Sequence, residues 1–529
     1  MSRRTRHPGF LFSGGAAVNF VPALAKVKAH RGEATRYPVY REIPADMDTP
    51  VSVFLKLCRR PDQQLIQGSQ ATQPCFLLES AEAGERFGRY SFIGLNPSRS
   101  LVAYGDRMTL ADQNGSVEEL CGDPFDVLRA QVTAETVVDV PDLPRFKGGA
   151  VGMFGYDMVR FIEKLPTTAE DLIGTPDMVM LFSDELVIFD HVKHRLLVMV
   201  NLDLTHPDLD RAYTDTCRRI NAICDRIHAP FAEPDLPEIG DNSPWACSKT
   251  PEEYAEIVRR TREYIIAGDI FQGVLSMRQT RATQADPFTI YRALRMVNPS
   301  SYMFYLDFSG IPGLKGPPMR LVGSSPEMHV RLEDREASLH PIAGSRWRGE
   351  TPEEDQQLAE DLLADPKERA EHVMLVDLGR NDLGRVCDYG SVQVDNVMQI
   401  ERYSHIMHIV SDVQGRLRDG MDGIDLIRAT LPAGTVSGAP KIRAMEIIEE
   451  LEASRRGPYA GVVGYIDHDG TMDTCITIRT ITMLGATCVL QAGGGLVMDS
   501  QPAYEYNEAM NKMRALTTAV ALAENALQL

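Results

Sequence analysis

The sequence lacks the features that mark several common classes of protein. No stretch of about 18 consecutive apolar residues occurs in its 529 residues, so no membrane-spanning helix is predicted. The nine cysteines are scattered without a Cys-x-x-Cys pair, which disfavours a disulfide framework or a zinc ribbon and favours reduced thiols in a cytoplasmic protein. Positive charge is scarce: 55 Lys and Arg against 74 Asp and Glu give a net charge of −19, which disfavours nucleic acid as the primary partner.

Several catalytic signatures are also missing. The sequence contains neither the Gly-x-Ser-x-Gly turn of serine hydrolases nor the His-Glu-x-x-His motif of zinc proteases. Two glycine-rich segments, Gly434–Lys441 and Gln491–Leu496, match neither the P-loop nor the dinucleotide-binding spacing. With 43% apolar and 24% charged residues, the composition is that of an ordinary globular protein.

The chain divides into four stretches. Residues 1–36 form a predicted N-terminal extension that is basic up to Glu33, and a disordered tail is favoured over a transit peptide. Residues 37–227 are rich in strand patterns, residues 228–248 form a proline-rich linker, and residues 249–520 carry both helix and strand patterns. Because the strands come in consecutive groups rather than in strict alternation with helices, the sequence predicts an α+β fold.

The clearest local signal is a helix that starts after Thr250. Pro251 suits the first helical position, and Glu253 lies three residues after Thr250, as in a capping box. Apolar residues then recur with helical spacing up to Gly268, which is typical of a helix end.

Two Glu-x-x-Glu pairs are candidates for a metal site. Glu368 and Glu371 share one face of a predicted helix, and Glu505 and Glu508 repeat the spacing on the last long helix. A bound cation would relieve the repulsion within each pair, and carboxylate oxygens without nearby cysteine suit Mg²⁺. Two solvated helix faces would give the same spacing.

Three segments are candidates for anion binding. The two glycine-rich segments, interpreted as loops, offer unhindered backbone N–H groups, although ordinary turns have the same composition. The β-branched run from Cys475 to Met483 predicts one continuous strand with Arg479 inside it. A buried arginine needs a negatively charged partner, and a structural salt bridge and a ligand carboxylate explain it equally well.

Taken together, several blocks of the sequence resemble the chorismate-utilising enzymes, in particular the large subunits of anthranilate synthases. The blocks occur in family order over about residues 37 to 520. They are Leu77-Leu-Glu-Ser80, Asn298-Pro-Ser-Ser-Tyr-Met-Phe304, Gly323-Ser-Ser-Pro-Glu327, Pro341-Ile-Ala-Gly-Ser345, the segment from Glu371 to Asp382, Glu401-Arg-Tyr-Ser, Thr435-Val-Ser-Gly-Ala-Pro-Lys441 and Gln491-Ala-Gly-Gly-Gly495.

The resemblance implies two large packed β-sheets with helices outside and a Mg²⁺-dependent conversion of chorismate and ammonia to anthranilate and pyruvate. By the family's motifs, Glu371 and Glu508 ligate Mg²⁺, while Glu368 and Glu505 hold its waters. Residues 37–227 would then be regulatory and residues 249–520 catalytic.

The resemblance also assigns catalytic roles. Glu327 matches the general acid for the C4 hydroxyl, and His408 matches the histidine beside that leaving group, with either proton transfer or transition-state stabilisation as its role. The neighbouring His405 does not match, and spacing alone favours a structural, hydrogen-bonded role for both histidines over a catalytic one. Thr435 completes the catalytic set. The residues implied in substrate binding are Gly344, Ser345, Tyr459, Arg479, Gly493, Gly494, Gly495 and Lys512.

Two positions separate the reactions of the family. Isochorismate synthases carry a lysine where this chain has Gln272, and aminodeoxychorismate synthases typically carry one in place of Ala343. Neither lysine is present, which favours ammonia as the nucleophile over these alternatives. The chain also lacks the Gly-x-Cys-x-Gly turn of a glutaminase, so a glutamine amidotransferase subunit is the expected partner.

The end product L-tryptophan is the expected inhibitor. By resemblance, its pocket combines the N-terminal region with the catalytic region. The implied residues are Leu78, Ser80, Ser301, Tyr302, Met303 and Cys475. A catalytically inactive amino-acid sensor would be expected to lose a glutamate or the histidine, yet Glu371, Glu508, Glu327 and His408 are all present.

Overall fold

The computed structural model describes residues 20–58, 73–80, 88–230, 236, 238–240, 243–403 and 406–528. The predicted N-terminal extension is therefore described only from residue 20, the predicted linker only in part, and His405 lies outside the described residues.

Within these residues the chain forms 24 strands. They are Arg36–Pro44 (β1), Cys75–Glu79 (β2), Tyr90–Leu95 (β3), Arg99–Tyr104 (β4), Arg107–Asp112 (β5), Val117–Cys121 (β6), Gly149–Phe154 (β7), Met178–Ser183 (β8), Glu185–Asp190 (β9), Arg195–Asp203 (β10), Ala246–Cys247 (β11), Gln272–Ala282 (β12), Tyr302–Asp307 (β13), Met319–Ser325 (β14), Met328–Glu333 (β15), Glu336–Leu339 (β16), Ile342–Trp347 (β17), Gln393–Arg402 (β18), Ile406–Arg416 (β19), Gly438–Ala439 (β20), Val462–Asp467 (β21), Met472–Ile476 (β22), Thr480–Leu484 (β23) and Thr487–Leu496 (β24).

The same residues contain eleven α-helices and two 3₁₀ turns. The helices are Leu24–Ala29 (α1), Pro50–Cys58 (α2), Pro124–Thr133 (α3), Leu209–His228 (α4), Pro251–Ala267 (α5), Pro287–Val297 (α6), Pro352–Ala364 (α7), Pro366–Gly384 (α8), Gly423–Thr430 (α9), Lys441–Glu452 (α10) and Pro502–Glu524 (α11), and the 3₁₀ turns are Tyr156–Phe161 and Gly434–Val436. None of the described helices is long and apolar enough to cross a bilayer.

The strands form two antiparallel sheets of twelve strands each. The first sheet has the order β1-β10-β9-β3-β2-β13-β14-β23-β24-β12-β11, with β20 also paired to β12. The second has the order β17-β19-β16-β15-β22-β21-β7-β8-β4-β5-β6, with β18 also paired to β19. Each sheet therefore contains strands from residues 37–227 and from residues 249–520. The two regions meet where β2 pairs with β13 and where β7 pairs with β21.

The main hydrophobic core lies between these sheets and beneath the helices that cover the first sheet. Buried side chains of both sheets belong to one cluster, for example Leu77 and Ile188 of the first sheet and Met153 and Val463 of the second. Burial of this apolar surface is the main contribution that stabilises the stack. The predicted α+β class with two packed sheets is confirmed.

The predicted start of α5 is confirmed in detail. The Thr250 side chain accepts a hydrogen bond from the backbone N–H of Glu253, and the Glu253 side chain accepts one from the N–H of Thr250. Gly268 ends the helix in the left-handed conformation with φ 83°.

The prediction of one continuous strand from Cys475 to Met483 is wrong. The run is divided into β22, which pairs with β15 and β21 in the second sheet, and β23, which pairs with β14 and β24 in the first. The chain crosses between the sheets at residues 477–479, where Arg479 has a φ of 50°. β-branched residues favour extended backbone on both sides of such a crossover, so their pattern does not reveal it.

Candidate active site

Arg479, at the crossover between the sheets, has its guanidinium turned toward helix α11. Its Nη1 donates a hydrogen bond to the backbone oxygen of Lys512 at 2.7 Å. Burial lowers the pKa of Arg479, and nearby Tyr459 and Glu508 only partly oppose this. Within the described part of the chain no carboxylate forms an ion pair with it. A mostly buried cation without a carboxylate partner suits an anionic ligand.

The segment Gln491–Leu496, predicted as a loop, is a strand. It is the C-terminal half of β24 and pairs with β12 along its whole length, whereas β23 pairs with β24 only as far as Leu490. One edge of this half is therefore left without a strand partner in the described structure. The prediction of a loop is wrong because three consecutive glycines were interpreted as a turn. Here they allow close approach: a Cβ on Gly494 would lie 3.2 Å from Oε2 of Glu505.

Lys512 links this strand to the acidic face of α11. Its Nζ donates to the backbone oxygen of Gly493 at 2.9 Å and lies 2.7 Å from Oε1 of Glu508. Lys512 therefore places one positive charge between the strand and the glutamate pair.

The two Glu-x-x-Glu pairs border the same region from α8 and α11. Burial and the neighbouring Glu368 raise the pKa of Glu371, and the charge of Glu508 raises it further. Burial also raises the pKa of Glu505, with a further contribution from Glu508. These carboxylates lie close enough to destabilise one another's charged forms. Glu368 also has a positively charged neighbour on β17, because Nη1 of Arg346 lies 3.6 Å from its Oε1.

The four glutamates are nevertheless not drawn into a tight ligand set. Among the described residues, one group of His and carboxylate atoms lies within 4.8 Å of one another: Glu135, Asp184 and His468, none of which is among the predicted ligands. Arg36 and Arg99 already pair with Glu135 at 2.9 and 3.1 Å, so this group is an ion-pair network rather than a metal site.

Glu327 stands between β14 and β15 with the properties of a general acid. Burial raises the pKa of Glu327 to about 7, and the Thr435 hydroxyl, His340 and Lys512 limit the increase. The Thr435 hydroxyl is close but makes no hydrogen bond of regular geometry. A carboxyl group with this pKa is partly protonated near neutral pH, as proton donation requires.

His408 lies on β19 opposite Ser345 of β17. Its Nδ1 is 2.8 Å from the backbone oxygen of Gly344. Because a carbonyl oxygen only accepts, Nδ1 carries the hydrogen and Nε2 is left as the acceptor when the ring is neutral. Burial lowers the pKa of His408, which favours this neutral form. The Tyr403 ring contacts it edge-on, with centroids 5.6 Å apart.

Tyr459 is held by a buried ion pair that the sequence did not suggest. The Arg456 guanidinium lies 5.5 Å from the Tyr459 ring centroid and is bound to Glu452 at 2.6 Å. Arg456 also donates to the backbone oxygen of Val436, next to Thr435. Burial raises the pKa of Tyr459 to about 12, so it stays a hydrogen-bond donor. Glu452 lies only four residues before Arg456, but the sequence does not show that Arg456 also donates to the backbone oxygens of Val436 and Val274.

A separate cavity of about 280 Å³ lies between the sheets. All six residues predicted for tryptophan line it: Leu78, Ser80, Ser301, Tyr302, Met303 and Cys475. Its polar wall also contains residues that were not predicted. Tyr302 donates to Asp473 at 2.9 Å, and Arg331 pairs with Asp473 at 2.7 Å. The buried Ser80 hydroxyl has no hydrogen-bond partner in the described structure.

Comparisons with known proteins agree with this architecture. The sequence profile of the family described as chorismate binding enzyme matches residues 73–518. A protein named anthranilate synthase component 1 from Acetivibrio thermocellus is 44% identical and covers 95% of this chain and 98% of its own length. The protein of that name from Pseudomonas aeruginosa is also 44% identical, over 93% of this chain and 97% of its own.

Solved structures give the same result. The crystal structure of anthranilate synthase component I from Streptococcus pneumoniae superposes with a TM-score of 0.72 at 35% identity and covers 90% of this chain and 99% of its own. An isochorismate synthase from Escherichia coli shares the fold at 18% identity, with a TM-score of 0.65. The chain belongs to the chorismate binding enzyme family, among relatives named anthranilate synthase component 1.

Proposed function

We infer that this chain converts chorismate and ammonia to anthranilate and pyruvate, the first step of tryptophan biosynthesis. The observation that carries the inference is that one site contains both Arg479, a cation with no carboxylate partner among the described residues, and Glu327, an acid with a pKa of about 7. Both lie near Lys512. Relatives 44% identical over nearly the whole chain bear the name of this activity.

Chorismate carries two carboxylates, and the site offers two places for them. Arg479, the Tyr459 hydroxyl and the free edge of Gly493–Gly495 suit one carboxylate, because they combine a buried positive charge with hydrogen-bond donors. Strand β17 contributes Gly344 and Ser345 to the part of the site that contains His408, because Ser345 is paired with His408 of β19.

The second place, for the ring carboxylate of chorismate, is the region between the two Glu-x-x-Glu pairs, whose carboxylates suit a bound Mg²⁺. Glu371 and Glu508 would bind the ion, with Glu368 and Glu505 holding its waters. The raised pKa values of Glu371 and Glu505 support this, because burial, and to a smaller extent the neighbouring carboxylates, disfavour their charged forms, and a bound cation would offset both effects. When bound, the ion neutralises these carboxylates and polarises the ring carboxylate of the substrate.

The protein residues then handle the protons. Glu327 gives its proton to the C4 hydroxyl, which leaves as water while ammonia adds at C2. His408 presents Nε2 as an acceptor, fixed by the bond from Nδ1 to Gly344, and takes up a proton released on the way to the aromatic product. Thr435 lies against Glu327 and helps to set its pKa.

Ammonia itself is the nucleophile in this scheme. The two positions where relatives with other reactions carry lysine are Gln272, which is buried at the start of β12, and Ala343 on β17. Neither side chain can attack the ring or activate water. A separate glutamine amidotransferase subunit would supply the ammonia.

Tryptophan would inhibit from the cavity between the sheets. Leu78, Met303 and Phe304 offer an apolar slot for an indole ring, and Ser80 offers a hydroxyl that has no partner among the described residues. Because Cys475 lines the cavity on β22 and Arg479 follows four residues later, occupancy can alter the substrate site.

A product assay tests the proposed function. Purified protein with chorismate, Mg²⁺ and ammonium is followed by anthranilate fluorescence, and the product is identified by chromatography. Anthranilate supports the proposal, whereas isochorismate, aminodeoxychorismate or no product overturns it.

A further inference from the structure

A second, smaller cavity lies directly behind Glu327. It has a volume of about 40 Å³ and is lined by Glu327 and His329, by His340, by Asp382 of α8 and by Thr435. Glu327 precedes β15 and His329 lies at an irregular position within it, yet the side chains of both reach this cavity. We call this cavity the rear chamber.

The chamber wall contains buried polar atoms without a regular hydrogen bond. Oδ1 of Asp382 makes no hydrogen bond within the described structure, and Nε2 of His329 makes none of regular geometry, although the backbone of Thr430 lies close to the ring; the two residues are only 4% and 2% exposed. Leaving such atoms unpaired is unfavourable, and an ordered water is the usual solution. The chamber exceeds the volume of about 30 Å³ that a water molecule occupies in the liquid.

Two of the residues that line the chamber, His340 and Asp382, belong to ion pairs. His340 lies between Asp412 at 2.7 Å and Glu401 at 3.3 Å. Burial lowers its pKa, but these two carboxylates outweigh burial and raise it to about 9. In the second pair, Nζ of Lys441 lies 2.7 Å from Oδ2 of Asp382.

We propose that the rear chamber holds water that returns a proton to Glu327 after each turnover. This inference rests on the proposed function, in which Glu327 loses its proton to the departing hydroxyl. A chamber water then protonates the carboxylate, and the Asp382–Lys441 pair replaces the proton lost by the water. Lys441, whose side chain is 13% exposed, recovers a proton from solvent. Asp382 and Lys441 are positioning residues in this scheme, because they act through water.

The kinetic test removes the outer pair without leaving one buried charge alone. The double variant Asp382→Asn/Lys441→Gln should lower kcat about tenfold. Its KM values for chorismate and for ammonium should be unchanged, and its solvent deuterium isotope effect on kcat should increase, because reprotonation has become slow. His468→Phe, which replaces a buried side chain that is paired with Glu135 and is not part of the chamber lining, should leave kcat and the isotope effect unchanged.

Several results would overturn the inference. One is a folded double variant with unchanged kcat and isotope effect, and another is an increase only in the KM for ammonium, which would make the chamber an ammonia route. A high-resolution crystal structure of the wild-type protein supplies a test that does not depend on activity. It should show an ordered water bonded to His329 and Asp382, and a dry chamber would contradict the proposal. If the wild-type protein makes no anthranilate, the proposed function fails instead.

Discussion

Arg479 combines a φ of 50° with a buried charge that has no carboxylate partner among the described residues, and a substrate carboxylate would stabilise that charge. Charge-assisted hydrogen bonds are worth about 1.5–3 kcal/mol, so Arg479→Gln should raise the KM for chorismate by about 10- to 100-fold. The same change removes an uncompensated charge, so the melting temperature of the free protein should increase.

A suitable control is Arg278→Gln. Arg278 is also buried with a lowered pKa, but it donates to the backbone oxygen of Arg455 at 2.7 Å and to Gln491. Its loss should decrease the melting temperature and leave the KM for chorismate unchanged. An Arg479→Gln protein that melts lower and binds chorismate normally would show that Arg479 is a structural residue.

Glu327 sets the expected pH dependence of catalysis. Burial raises its pKa to about 7, so the proton-donating form is lost as the pH rises through this value. At saturating free ammonia, kcat should therefore decrease above a pH of about 7. Glu327→Gln should lower kcat at least about 100-fold and abolish this decrease.

The stability of the fold should respond to the same group. Between the ordinary glutamate pKa of 4.5 and about 7, the folded protein binds a proton that the unfolded chain has lost, so stability falls as pH rises through this window. Glu327→Gln should reduce that fall. The control is Glu333→Gln, which changes a half-exposed glutamate at the end of β15 and should leave the fall in stability as it is in the wild type. For the kinetic prediction, a wild-type kcat that is independent of pH from 6 to 9 would refute the role of Glu327.

At the scale of elements, helices α8 and α11 carry the proposed metal site. In the metal-free protein, the raised pKa values of Glu371 and Glu505 make the folded state less stable as the pH rises above 4.5. Mg²⁺ should therefore raise the melting temperature at neutral pH, with a smaller increase at lower pH, where the carboxylates are protonated.

The variants that test this metal site are Glu371→Gln and Glu508→Gln, each of which removes one proposed ligand of the ion. Each should abolish the Mg²⁺-dependent increase in melting temperature and nearly abolish turnover, whereas the exposed Glu360→Gln on α7 should do neither. Equal activity in Mg²⁺ and in EDTA would contradict the metal site.

Strand β22 connects the cavity between the sheets to Arg479. Ser80→Phe fills the apolar slot opposite Met303, so the variant should keep its kcat and lose inhibition by tryptophan. This corresponds to the loss of a coupling free energy of about 1–3 kcal/mol. Ser116→Phe, at an exposed turn, should be inhibited like the wild type. A wild-type protein indifferent to tryptophan would show that the cavity has no regulatory role.

The local sequence predicts elements best where one segment contains the whole signal. The capping box of α5 is such a case, because Thr250 and Glu253 satisfy each other. The division of β22 from β23 was missed because pairing partners, not residue type, decide where a strand changes sheet. The glycines of β24 were misread because the reason for them, close approach to Glu505 and to strand β12, lies outside the segment.

At the scale of the whole molecule, both sheets interleave strands from the N-terminal and C-terminal halves. Residues in the paired strands β2 and β13 are more than 200 positions apart, for example Glu79 and Met303. Hydrophobic alternation within a strand does not specify such a distant partner, so the sequence suggested two adjoining regions instead. The family's motifs nevertheless predicted that Leu78 and Met303 meet, and the structure brings them together. The assignment of residues 37–227 as regulatory stays a prediction.

The most direct test of the proposed reaction uses ¹⁵N-labelled ammonium. The isolated chain, given chorismate, Mg²⁺ and this ammonium, should form anthranilate with a single ¹⁵N and an equimolar amount of pyruvate, and unlabelled glutamine alone should give no product. Mass spectrometry that finds no anthranilate, or anthranilate without the label, would contradict the proposal that this chain joins ammonia to chorismate.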